Sequence, residues 1–245
     1  TRTNWQACHA AQSAEMSGRK AAGRRGSDLP RIVLVDANVF FAPRMRDLFM
    51  HLHEAEVVNV HWTREIELEW TRNVVVKQGA DRQAIQDCLA GMRAAAEGWE
   101  VFGYEKHVDR FEAVDSKDRH VAAAAYKLSL DDWPGQAVAL VTRNVRDFPP
   151  SAFKDTKVVR YAMPAYRDAL HAEVPDTVVK VADGCRKKLR APKLTREEYV
   201  AVLMKNGCSG LAQALADRWS VECPAVAKDG TLYYPSNEHA GRPKK

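Results

Sequence analysis

Two stretches of this 245-residue chain run apolar up to the point where a carboxylate or carboxamide appears. In V-D-A-N-V-F, Asp36 follows directly on the β-branched run Ile32–Val35. In V-T-R-N-V-R-D-F, Thr142 and Asn144 follow the apolar segment 137–141, with Asp147 in the next turn. A charged group at the end of a buried strand is costly unless it is paired or bound to a cation. Two further acids, Glu69 in H-W-T-R-E-I-E-L-E-W and Asp118 in D-S-K-D-R-H-V-A-A-A-A, stand on helical stretches. Arg119 and Arg143 are neighbours in sequence, but helix or strand geometry points them away, so the motifs hold no obvious neutraliser. If the four carboxylates meet, they must retain protons or recruit a cation. Oxygen ligands without His or Cys favour Mg²⁺ or Mn²⁺. Such a site suits phosphodiester hydrolysis, in which a bound cation lowers the pKa of a water and no side-chain nucleophile is required.

Short apolar runs alternating with helical periodicities must position these groups. Strands are expected at Ile32–Val35, 57–61, 100–102, 137–141 and 157–160, and helices at 43–55, 63–76, 81–97 and 118–130. Unbroken apolar strands between helices describe an α/β fold with a parallel sheet covered on both faces. In such a sheet, functional residues collect beyond the carboxyl ends of the strands, where Asp36 and Thr142 fall. The small Ala face of the helix at 118–130 lets its N-terminus approach the same edge. After about residue 175 the strand pattern stops. Helices are expected at 176–190, 196–206 and 209–219, the second with Thr195 and Glu198 in capping-box spacing. The expected organisation is a disordered leader over 1–30, an α/β domain over 31–165 and a helical domain over 175–222. A boundary near 164–175 separates the two domains, and a flexible tail covers 223–245.

Composition narrows the class. The chain is 46% hydrophobic and 28% charged, with a mean hydropathy of −0.42, which excludes a fibrous or wholly disordered protein. No run approaches the ~18 apolar residues of a membrane helix, and residues 1–31 lack the apolar centre of a secretory signal. Five cysteines without a C-x-x-C pair argue against a zinc cluster or disulfide framework and suit a reducing cytoplasm. No G-x-G-x-x-G follows the first strand and no P-loop is present, which disfavours nucleotide-binding readings. The net charge of +5 sits at the ends: +4 over residues 1–31 and +3 over 241–245, leaving −2 between them. The run R-K-K-L-R-A-P-K-L-T-R over 186–196 carries six cations and no acid. It reads equally as an RNA-phosphate contact, made by Arg186, Lys187, Lys188 and Arg190, or as a solvated helix end complementing the dipole.

The order and surroundings of V-D-A-N-V-F, H-W-T-R-E-I-E-L-E-W-T-R-N, D-S-K-D-R-H-V-A-A-A-A and V-T-R-N-V-R-D-F, spanning about residues 31–160, resemble a PIN-domain nuclease, specifically a VapC-like toxin. The resemblance implies a three-layer α/β/α fold and Mg²⁺- or Mn²⁺-dependent endoribonuclease activity. It also implies inhibition by a cognate VapB-like antitoxin, and a homodimer. The family's acidic positions fall on Asp36, Glu69, Asp118 and Asp147, with Asn38, Thr142 and Asn144 supporting the metal shell or a bound water. Asn144 stands where many PIN domains carry an acid, which leaves Asp147 as a ligand or as a neighbour of the shell. Asp115 either supports the site or caps the Ala-rich helix, with Asp118 at its N3 position. Asn144 and Asp147 share that spacing. Glu65 is the next-best ligand after Glu69, and His61 and His120 read as packing residues. The helical segment resembles the C-terminal extension of some longer VapC-like proteins. Two other readings stand beside this one: a catalytically silent RNA- or partner-binding module on the same fold, and a haloacid-dehalogenase-type phosphatase, whose D-x-D signature is interrupted by Asn38.

Overall fold

The computed structural model describes residues 29–189 and 193–235. Strands β1 (Ile32–Val35), β2 (Asn59–His61), β3 (Val138–Thr142) and β4 (Val158–Ala162) form a four-stranded sheet in the order β2-β1-β3-β4, with every pair parallel. Every residue of β1 and β3 is buried. Successive strand side chains point to opposite faces, so both faces of the central pair are covered. The architecture is α/β.

Nine α-helices accompany the sheet among the described residues: α1 (Ala37–Phe40), α2 (Pro43–Glu54), α3 (Arg64–Gln78), α4 (Arg82–Ala95), α5 (Arg119–Lys127), α6 (Met163–Glu173), α7 (Pro175–Lys188), α8 (Arg196–Lys205) and α9 (Ser209–Trp219). Three of them place the site. The Thr63 side chain accepts the Ile66 amide and starts α3, whose Ile66, Trp70 and Val74 are buried at i, i+4 and i+8. α3 ends on Gly79 at φ 61°, a left-handed backbone that a residue without Cβ adopts freely. Asp81 then caps α4 by accepting the Ala84 amide, so α3 and α4 are joined by a three-residue turn. In α5, Val121 to Ala125 are all buried, and these small side chains let the helix pack on β1 and β3. One turn of π-helix, Leu128–Asp132, follows it.

The strand expected at 100–102 is reduced to a single parallel bridge between Trp62 and Glu100. Gly98 and Gly103, at φ 76° and 70°, turn the chain on either side and leave no length for a strand. The boundary expected near 164–175 coincides with α6. Pro164 and Pro175 lie in the first turns of α6 and α7, where a missing N–H costs no intrahelical bond. The Tyr166 hydroxyl of α6 donates to the Pro30 carbonyl at 2.7 Å, tying the helix to the residue just before Arg31 and β1. The Cys208 thiol approaches Met45 Sδ of α2 at 3.4 Å. The C-terminal helices thus share one continuous apolar cluster with the sheet. Within the expected tail, Ala225–Val226 and Leu232–Tyr233 pair as an antiparallel hairpin. Residues 1–28 of the expected leader and 236–245 of the tail lie outside the described residues. Among the described residues the four cysteines are free, and no helix is long and apolar enough to cross a membrane.

Candidate functional site

Because β1 and β3 run parallel, their carboxyl ends lie side by side. The Asp36 amide extends the ladder one residue past β1 by donating to Val141 O at 3.0 Å. Thr142 Oγ1 then donates to Asp36 Oδ2 at 2.6 Å. Asn38 Nδ2 donates to the same oxygen at 2.5 Å and to Thr142 Oγ1 at 2.9 Å. Asn38 Oδ1 accepts the Arg143 amide at 2.8 Å, and Thr142 Oγ1 accepts the Asn144 amide at 3.0 Å. Asn38, Thr142 and Asn144 therefore form one hydrogen-bonded cradle around Asp36, which is only 3% exposed. Burial pushes the Asp36 carboxyl up to about 6; the Thr142 hydrogen bond opposes this, and the nearby Glu69 charge adds to it.

Asp118 stands at the N-cap of α5. Burial pushes its carboxyl up to about 6, and the charges of Asp36, Asp147 and Asp115 push the same way. Glu69, on α3, is raised by burial, then by Asp118 and Glu65. The structure thus brings Asp36, Glu69, Asp118 and Asp147 from four separate stretches into one electrostatic neighbourhood. None of the four has a Lys or Arg ion pair among the described residues. The capping alternatives resolve differently from expectation. Asp118 itself occupies the N-cap, and Asp115 Oδ1 accepts the Lys117 amide at 3.0 Å in the turn before it. The Asn144 side chain caps no backbone N–H; its Nδ2 donates to Asp147 Oδ2 instead.

Among the described residues, no three His, Cys, Asp or Glu side chains are grouped closely enough to hold a metal ion as they stand. The donor set nevertheless suits an oxygen-seeking dication: Asp36, Glu69 and Asp118 are partly desolvated, like charges raise their proton affinity, and the more distant Arg72, Lys77 and Lys117 oppose this without forming an ion pair to them. His120 Nδ1, facing this region, is buried without a hydrogen-bond partner. It lies 3.6 Å from Glu65 Oε2, and its Nε2 is 4.0 Å from Glu69 Oε2. Burial lowers the His120 pKa, and the nearby Glu65 charge opposes it. Glu65 also accepts the Tyr104 hydroxyl at 3.2 Å. Glu65 and His120 are thus part of the site's wall. The i, i+4 spacing of Glu65 and Glu69 was the available signal for the first; nothing in the pattern distinguished His120 from a packing residue.

Glu65, Glu69, Asp115, Asp118 and Asp147 line a groove of about 1090 Å³. The third acid of α3 has a different role. Glu67 is buried and accepts hydrogen bonds from Arg93, Arg64 and Trp62 Nε1, with both guanidiniums stacked over Trp99. The expected RNA contacts on α7 are already engaged. Arg186 and Lys187 pair with Asp183 at 3.2 and 2.7 Å, and Lys188 pairs with Glu54 at 3.7 Å. Arg190 lies outside the described residues.

No family model matches the chain, and no curated protein or solved structure shows significant similarity to it.

Proposed function

We propose that the chain is an Mg²⁺- or Mn²⁺-dependent endoribonuclease on a PIN-like three-layer fold, acting as the toxin of a VapBC-type pair. The observation that carries this reading is the gathering of Asp36, Glu69, Asp118 and Asp147 at the carboxyl edge of a parallel sheet, without a Lys or Arg ion pair. A dication held by these four carboxylates would supply the acidification of a water and the neutralisation of charge on the phosphate. The chain's own groups do the rest. Thr142 and Asn38 fix the Asp36 carboxylate before any ligand arrives, and Asn144 holds Asp147. Such preorganisation lowers the cost of reaching the reactive geometry. With Asp36 and Asp118 titrating near 6, protons compete with the cation below that pH, so activity rises through it.

In this reading an antitoxin covers the groove, with an Arg reaching the carboxylates. A homodimer and a cytoplasmic setting go with the same proposal. A phosphatase with Asp36 as nucleophile is disfavoured, because Asn38 stands where that signature carries its second Asp.

The test is cleavage of structured RNA by the wild type and by Asp36→Ala, with Mn²⁺ and with EDTA. Loss of cleavage in the variant and in EDTA supports the proposal, and cleavage by Asp36→Ala overturns it. RNA binding without cleavage at every divalent-ion concentration selects the silent binding module. If a co-expressed small neighbouring protein neither copurifies nor relieves growth arrest, the toxin assignment fails.

A further inference from the structure

We infer that the groove leading away from the carboxylates is a track for the backbone of single-stranded RNA, with Arg72, Lys77, Arg82 and Lys117 as its phosphate contacts. The choice of RNA rests on the nuclease reading; the track itself rests on the charges and shape of the groove.

The groove changes sign along its length. Glu65 and Glu69 stand nearer the N-terminus of α3, while Arg72 and Lys77 nearer its C-terminus and Arg82 of α4 line the same cavity; Lys117 lies among the acids, between Asp115 and Asp118. Arg72 lies three residues beyond Glu69 and shares its side of the helix. Lys77 lies eight residues beyond, about 12 Å along the axis at the helical rise. The tight turn through Gly79 and Asp81 returns the chain so that Arg82 faces the same cavity. A strand passing from Glu69 to Arg82 therefore meets Arg72, Lys77 and Arg82 in turn.

These cations are free to accept a ligand. All four are exposed, and none forms an ion pair among the described residues, although five carboxylates line the same cavity. Arg186, Lys187 and Lys188 of α7, by contrast, are each paired with an acid. A lining cation left without an acid is available to a mobile anion, and phosphate contacts dominate nucleic-acid affinity.

Apolar surface stands between the charges. Leu68 and Val76 are 66% and 75% exposed and line this cavity. A duplex hides its base faces and presents phosphates outward, whereas a single strand offers unstacked bases to apolar side chains. Alternating cationic and apolar groups along one helix suit the single strand. A protein segment would need both signs of charge in matching order. RNA needs only its phosphates on the basic arm and a cation beneath one of them at the acidic end.

The test is binding of a fluorescein-labelled single-stranded RNA of mixed sequence in EDTA, followed by anisotropy over a range of KCl concentrations. Each lost phosphate contact removes ~0.7 from the slope of log K against log[salt]. The triple variant Arg72→Ala, Lys77→Ala, Arg82→Ala should therefore flatten the slope by about two and weaken binding roughly tenfold or more at low salt. The exposed single exchange Lys77→Glu flattens it in the same direction without threatening the fold. Arg186→Ala, Lys187→Ala, Lys188→Ala leaves the slope unchanged. An unchanged slope in the groove variants, or flattening confined to the α7 variant, overturns the inference. So does an unchanged slope with loss of a copurifying small protein, which makes the groove a protein-docking surface. Neither cation nor turnover enters the assay. A flattened slope in a chain that never cleaves RNA keeps the track and removes the nuclease reading. Asp36-dependent cleavage with an unchanged slope does the reverse.

Discussion

Thr142 and Asp36 end adjacent strands and meet through a 2.6 Å hydrogen bond, although 106 residues separate them in the chain. The parallel register of β1 against β3, with Val35 opposite Val141, makes the meeting unavoidable. That bond favours the ionised carboxylate against the burial that disfavours it. Thr142→Val should therefore raise the midpoint of the cleavage pH profile by about one pH unit, the scale of a hydrogen bond to a charged group. A profile measured at a fixed Mn²⁺ concentration below saturation that does not move contradicts the role given to the hydroxyl.

Asp36 should make the cation-free protein less stable as pH rises. Its carboxyl is lifted from the ordinary 3.8 to about 6, so between those values the native state binds more protons than the unfolded chain. Stability then falls with rising pH across that window and stays lower above it. Asp36→Asn removes the effect. In EDTA well above pH 6 the variant should be the more stable protein by up to ~3 kcal/mol, with the difference shrinking towards pH 4. Urea melts of both proteins at the two ends of the window decide the matter.

A dication that binds only the folded site must stabilise it by mass action, by about 2.7 kcal/mol at a concentration one hundred times its Kd, and so raise the melting temperature. Mn²⁺ should therefore stabilise the wild type, EDTA should reverse the gain, and Asp36→Asn and Asp118→Asn should each abolish most of it. Calorimetric titration below pH 6 should also show protons released on binding. Equal stabilisation of all three proteins would place the ion elsewhere.

Glu67 and Glu69 sit two residues apart on α3 and answer differently to substitution. Glu67 is buried against Arg93 and Arg64, so Arg93→Ala leaves a buried charge short of its main partner. The expected cost is about 3 kcal/mol in thermal or urea unfolding. Glu69→Gln lies in the groove and should cost little stability while removing cleavage. Reversed outcomes would exchange the roles of the two glutamates.

The sheet and the Asp36 cradle were legible because buried parallel strands read as unbroken apolar runs, and the switch to Asp36 or Thr142 marks where each run ends. α6 was hidden by Pro164 and Pro175, which resemble a linker until their places in first helical turns are known. Its buried stripe was broken by Arg167, a cation satisfied by Asp168 and by the Gly207 carbonyl at 3.1 Å, a partner no local pattern announces. The α7 cations looked unpaired because Glu54 comes from α2, although Asp183 lay within the i, i+3 and i, i+4 window. No local pattern in the sequence marks the groove cations. Only the turn after α3 reveals that Arg72 and Arg82 share a cavity.

The bond from Tyr166 to Pro30 also decides how this protein can be cut down. A fragment stopped near residue 165 discards the aromatic ring that braces the entry to the first strand, together with Leu170 and the apolar helices beyond it. What remains exposes greasy sheet surface and invites aggregation. A minimal expressible piece has to run through Trp219.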